Sequence, residues 1–158
     1  MTSSSYERIR AGLAAGDLDV LLRENPYPRF LGVEIKVLGG ERYYVLPRRD
    51  ELIGSRRLGA MHGGVLAGFL ESASLFEVLI TQQQYHVPSP VDFEIDYLRS
   101  ARQPSACHVR CEVVRQGSRV AQVRAECWQN DRHKPVAASR AVFLLRNVDN
   151  APAKDSHA

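Results

Sequence analysis

The longest apolar segment of the chain, Val65 to Ile80, lies between stretches in which apolar and polar residues mostly alternate. It has no proline and no interior Lys or Arg, and Leu66, Ala67, Leu70, Ala73, Leu75 and Leu79 favour helix. This predicts a helix from about Gly63 to Gln83. Its apolar residues cover nearly the whole circumference, so burial on most sides is expected. The flanking sequence reads as strands. Val33 to Leu38 and Arg42 to Leu46 pair through the two-residue turn Gly39-Gly40. After a break at Pro88-Ser89-Pro90, the apolar residues Val91, Phe93, Ile95 and Tyr97 alternate with Asp92, Glu94 and Asp96. Cys107, Val109, Cys111 and Val113 form one face of the next strand, and Ala121, Val123, Ala125 and Cys127 one face of the strand after it. Val136 to Leu145 is apolar at both parities and is expected to be the best-buried strand.

The order is strand, strand, long buried helix, then four antiparallel strands, which predicts an α+β fold. One six-stranded antiparallel sheet wrapped around one long central helix covers both apolar surfaces. Residues 47–61 read as a polar loop. Upstream, residues 6–24 read as one or two short helices with Asp17 as a cap, stopped at Asn25-Pro26-Tyr27-Pro28. The expected organisation is a helical N-terminal extension over 1–25, a folded domain over 26–146 and a disordered tail over 147–158.

Composition narrows the class. The chain has 158 residues, 44% of them hydrophobic and 25% charged, with a net charge of +3. A chain this long buries enough surface to fold without disulfides or a structural metal. Three cysteines, an odd number in apolar stretches, suit a reducing compartment, so the cytoplasm is expected. The N-terminus does not read as a signal peptide, no membrane partner is expected, and a charge of +3 is too mild to imply nucleic acid. The five histidines do not cluster at metal-ligand spacing, and no metal is expected. Serine-hydrolase elbows, P-loops and dinucleotide fingerprints are missing from the sequence.

Against that background Glu71 stands out. It lies midway along the apolar helix, and its i±3 and i±4 neighbours Ala67, Gly68, Ser74 and Leu75 offer no ion pair. Either a wet seam between subunits or a chemical task accounts for it. Glu77 lies about 120° further around the axis and is assigned to solvent or an interface. The helix begins at His62-Gly63-Gly64, where Ser, Thr, Asp or Asn would be ordinary. With no capping side chain, the first N–H groups are expected to be free, and two glycines let a ligand oxygen approach them. The alternative is a glycine-assisted tight turn into the helix. Gly63 and Glu71 are about 12 Å apart along one helix, too far for one small carbonyl to touch both. A shared reaction centre would therefore require two copies of the helix, hence a homodimer.

The segment Leu58-Gly59-Ala60-Met61-His62-Gly63-Gly64-Val65-Leu66-Ala67-Gly68-Phe69-Leu70-Glu71, with Val91 to Ala101 and Arg115 to Arg119, resembles the hotdog-fold acyl-CoA thioesterases of the phenylacetate-degradation type. The likeness covers roughly residues 26–146. It implies the hotdog fold, dimers often paired into tetramers, and hydrolysis of acyl-CoA. It further implies that Gly63 donates the oxyanion N–H with Gly64 beside it, that His62 shapes the mouth, and that Glu71 of the partner subunit acts as nucleophile or general base. No cofactor is implied beyond coenzyme A as part of the substrate. Arg56, Arg57, Arg99 and Arg119 are candidates for its phosphates, and Phe69, Leu70 and Ser74 for the acyl group. Two departures from the family pattern occur. Arg56 stands where relatives often carry Asn, and Pro90 where some carry Ser or Thr, with Ser89 one step earlier. A non-catalytic acyl-CoA-binding protein and an acyl-thioester dehydratase or hydratase are the alternatives.

Overall fold

The computed structural model describes residues 3–82 and 86–147. The helices are α1 (Ser3–Ala14), α2 (Val20–Glu24), α3 (Pro26–Leu31) and α4 (Gly63–Thr81). The strands are β1 (Glu34–Leu38), β2 (Glu41–Leu46), β3 (Ile53–Ser55), β4 (Ala60–Met61), β5 (His86–Tyr97), β6 (Cys107–Gln116), β7 (Val120–Trp128) and β8 (Ala137–Asn147). Six of them form one antiparallel sheet in the order β1-β2-β6-β7-β8-β5. The long helix packs against β5, β6, β7 and β8. This is the α+β arrangement expected from the order of apolar segments.

Gly39 and Gly40 both have positive φ, 60° and 80°, which the tight two-residue turn between β1 and β2 requires. The inward faces of β6 and β7 fall where alternation puts them. Cys107, Val109, Ala121, Val123, Ala125 and Cys127 are all buried against α4. From the helix, Leu66, Phe69, Leu70, Ala73, Phe76, Val78 and Leu79 enter the same core, each large side chain contributing about 1.5–3 kcal/mol. Tyr6 and Ile9 of α1, Val20 and Leu21 of α2 and Leu31 of α3 join it too.

Several expectations are corrected. Proline at 26 does not end the helical region but opens α3 at its first turn, where its missing N–H costs nothing. Asp17 does cap the turn that leads into α2, its carboxylate accepting from the Asp19 and Val20 N–H groups and pairing with Arg23, while Asp19 makes no side-chain cap bond. Pro88 and Pro90 do not break the chain before β5 but lie inside it. A proline there removes no ladder bond that the sheet needs, because β5 is an edge strand with an irregularity between Pro90 and Asp92. The strand β8 buries only one face. Ala137, Ser139, Ala141, Phe143 and Leu145 face the helix, whereas Arg140 on the other face is exposed and pairs with Asp92 and Glu94. A sheet with one helix layer has one dry side. Within residues 47–61 the small β3–β4 sheet replaces the expected loop. Gln83 and residues 148–158 of the expected tail lie outside the described residues.

Candidate active site

The start of α4 is built by three neighbouring pieces of chain. His62 N–H donates to the Leu52 carbonyl at 2.9 Å, and Met61 N–H to that of Ala101 at 2.8 Å. A side chain at Gly54 would stand 2.8 Å from His62 Cα, so the glycine lets β3 pass close to the helix start. From the end of β5, the Tyr97 hydroxyl donates to the Gly63 carbonyl at 2.8 Å, and its ring lies 3.3 Å from where a Gly63 Cβ would be. Three anchors thus hold three peptide units around the helix start.

The expectation that the first helical N–H groups are all free is corrected here. His62 is itself the N-cap, and its Nδ1 accepts the Gly64 N–H at 3.0 Å. The Val65 and Leu66 N–H groups donate to the His62 carbonyl at 3.0 and 3.3 Å. Among the described residues, the Gly63 amide alone of this first turn has no acceptor. The cap therefore singles out one donor instead of leaving a cluster. Gly63 opens onto a cavity of about 360 Å³ lined by Ala60, Met61, Leu66, Tyr97, Leu98, Arg99, Ser100 and Ala101.

Two turns further along, Glu71 is half-buried and has no hydrogen bond or ion pair among the described residues. Glu77 is the reverse and corrects its assignment to solvent or an interface. It is buried, accepts from Arg42 Nε at 2.9 Å and Nη2 at 2.7 Å, and accepts from the Tyr44 hydroxyl at 2.8 Å. Two guanidinium N–H donors in a fork and one phenol satisfy a charge that desolvation would otherwise penalise. The carboxylate raises the Arg42 pKa in return. Burial first, and then the Glu77 charge, pushes the Tyr44 phenol well above its ordinary range, and the same two causes raise the Cys111 thiol.

The other candidates are divided. Arg99 lines the Gly63 cavity, with one guanidinium nitrogen donating to the Pro135 carbonyl at 2.8 Å. Arg56 lines a different cavity, of about 290 Å³, with Asp50, Ile53, Gly59 and Gln103. Arg57 is exposed beside it in sequence. Arg119 lies in the β6–β7 turn, and Gln116 of that hairpin meets Thr81 at 3.4 Å, so Arg119 sits toward the far end of α4 from Gly63. Phe69 is sealed in the core, and Ser74 is buried with its hydroxyl donating to the Leu70 carbonyl at 2.8 Å. Ser89 is half-buried on β5, opposite Leu144. Tyr97 and Leu52 were not legible as parts of the site. Tyr97 read as one more alternating residue, and only its place at the last inward position of β5 could have suggested contact with a helix end.

The family model described as the acyl-CoA thioesterase N-terminal domain matches residues 54–144, more than half of the chain. That span runs from Gly54, at the helix start, through Glu71 and four strands of the sheet. A solved structure from Chromobacterium violaceum is 35% identical, covers 89% of this chain and 98% of its own, and superposes with a TM-score of 0.73. A phenylacetic acid degradation-related protein from Ralstonia eutropha is 23% identical over 80% of this chain and 98% of its own, with a TM-score of 0.67. A Bacillus halodurans protein solved with CoA is 18% identical over 91% and 92%, also at 0.67. At these last two identities the likeness speaks for the fold, which is the hotdog arrangement. A comparison with curated proteins finds no match. With the family model matched over residues 54–144 and a relative 35% identical over 89% of this chain, the chain belongs to the acyl-CoA thioesterase family.

Proposed function

We propose that the protein hydrolyses acyl-CoA thioesters to the free acid and CoA, with the Gly63 amide as oxyanion donor and Glu71 of a second subunit as nucleophile or general base. The observation that carries this reading is the Gly63 N–H, the one amide of the first helical turn left without an acceptor among the described residues, on a residue that lines a cavity. As the thioester carbonyl is attacked, its oxygen becomes negative, and an N–H held in place beforehand stabilises that charge without reorganising. Glu71 either attacks the carbonyl carbon or takes the proton from an attacking water. The thiolate of CoA leaves in both cases, and the water's oxygen ends in the acid.

One helix holds its two groups about 12 Å apart, so the site is shared between two copies. The open edge of β5 supports this, because Tyr97 of that strand touches Gly63 and the strand carries unpaired backbone groups along its outer side. Arg99, which lines this cavity, is the arginine assigned to a CoA phosphate in this reading.

The test is CoA release over aromatic, short and long acyl-CoA substrates, with Glu71→Gln as control. Gly63→Pro removes the oxyanion donor at a helix position where proline is tolerated, and His62, at φ −65° and ψ 132°, already has the conformation that precedes proline. Mixing Gly63→Pro with Glu71→Ala subunits should restore one working site per heterodimer. Folded mixtures without recovered activity would sink the shared site. A second reading, binding of acyl-CoA without turnover, rests on Arg56. It replaces the Asn often found in relatives and lines a cavity separate from Gly63. Wild-type turnover no faster than Glu71→Gln across the panel would favour it, and product mass separates hydrolysis from hydration.

A further inference from the structure

Gly68 lies one helical turn before Glu71, on the same strip of α4 as Gly64. Its missing side chain makes a notch, and the ring of Tyr27 from α3 fills it. A Cβ at Gly68 would stand 2.6 Å from Tyr27 Cε1 and 2.9 Å from its hydroxyl oxygen. The phenol thus lies directly on the helix surface, while the residue as a whole stays 49% exposed. Side chains on a helix lean toward its N-terminus, so a residue covers the turn before its own Cα. For Glu71 that turn is the one carrying Gly68. The Glu71 side chain therefore leans toward the strip of helix on which the Tyr27 hydroxyl lies, and neither group has a hydrogen-bond partner among the described residues.

We propose that Tyr27 is a positioning residue for Glu71: when substrate binds at the other subunit, a rotamer change brings the carboxylate to the phenol, which then donates it a hydrogen bond and holds it toward that substrate. The inference rests on the reading of Glu71 as the acting carboxylate. A carboxylate on a long side chain samples several rotamers, and one fixed donor selects among them. The aromatic ring, braced in the Gly68 notch, supplies that donor from a second element. Among the titratable groups of α3, which is the helical segment packed on this side of α4, Tyr27 is the one the structure lays on the Gly68 strip.

Tyr27→Phe keeps the ring in its notch and removes only the donor. The expected result is a fall of about tenfold in kcat, the scale of one hydrogen bond to a charged group, with KM and the melting temperature unchanged. Gly68→Ala retains the hydroxyl but pushes the ring out of the notch. It is expected to lower kcat as well, although alanine is the better helix former. In a Glu71→Gln background, Tyr27→Phe should bring no further loss. Unchanged kcat in Tyr27→Phe overturns the inference, as does a rise in KM alone, which would mean substrate contact, or a further tenfold loss on top of Glu71→Gln. If Glu71→Gln itself keeps wild-type kcat, the role of Glu71 falls and this inference with it. If Glu71→Gln is inactive while Tyr27→Phe is not impaired, the inference alone fails.

Discussion

Glu71 and Glu77 sit on one apolar helix, six residues apart, and have opposite surroundings. Glu71 is half-buried and unpaired, whereas Glu77 is buried and held by Arg42 and Tyr44. Neither partner of Glu77 was legible, because both come from β2, more than thirty residues upstream. Both carboxylates lack an ion-pair partner on their own helix, which could be read directly; that no other element reaches Glu71 among the described residues could not. Removing Glu77 leaves a part-buried guanidinium and a buried phenol without their acceptor. Glu77→Ala is therefore expected to lose about 3 kcal/mol of stability, read as a lower urea midpoint at neutral pH. The same cluster makes stability fall in alkali. The folded pKa values of Tyr44 and Cys111 are raised, so both groups keep their protons in the native chain and release them from the unfolded one. The stabilisation is full below the unfolded values of about 9–10 and is lost as pH rises toward the folded ones. Urea midpoints measured from about pH 8 to about pH 11 should decline, and less steeply in Cys111→Ala. A flat profile in the wild type would contradict this.

At the scale of the element, α4 owes its starting point to its N-cap residue. His62 caps with a ring nitrogen where Ser or Asp would use oxygen, and the cap satisfies Gly64 while leaving Gly63 free. His62→Ala should cost about 1 kcal/mol in thermal unfolding, and His62→Asn should recover most of it. If Ala costs nothing, the ring is not the cap in solution. The strands were legible from alternation wherever one face is buried, as in β6 and β7. The prolines of β5 misled because a local rule about proline does not know where a strand lies in its sheet. At an edge the missing N–H faces no partner strand. The β3–β4 hairpin was hidden for a related reason: strands this short carry no period.

For the whole molecule, the sheet ends in two open edges, and β5 is the longer, with Val91 59% exposed at its bulge. If this edge joins two copies, light scattering should report a mass of two or four 17.7 kDa chains. Val91→Lys should shift it toward one chain and lower kcat by at least tenfold, while the circular dichroism spectrum is kept. A dimer with wild-type activity in that variant would place the interface elsewhere. The α+β order, the buried helix, the inward faces of the central strands and the lack of an ion-pair partner for Glu71 on its own helix were legible along the chain. All of these depend on residues within a few positions of one another, and hydrophobic periodicity reports on such distances. That His62 caps its own helix, that Tyr97 and Leu52 brace it, that Tyr27 fills the Gly68 notch and that Glu77 has partners emerged with the packing of the folded chain. Each of those contacts but the first joins residues from different elements, and the chain must close long loops before they can meet.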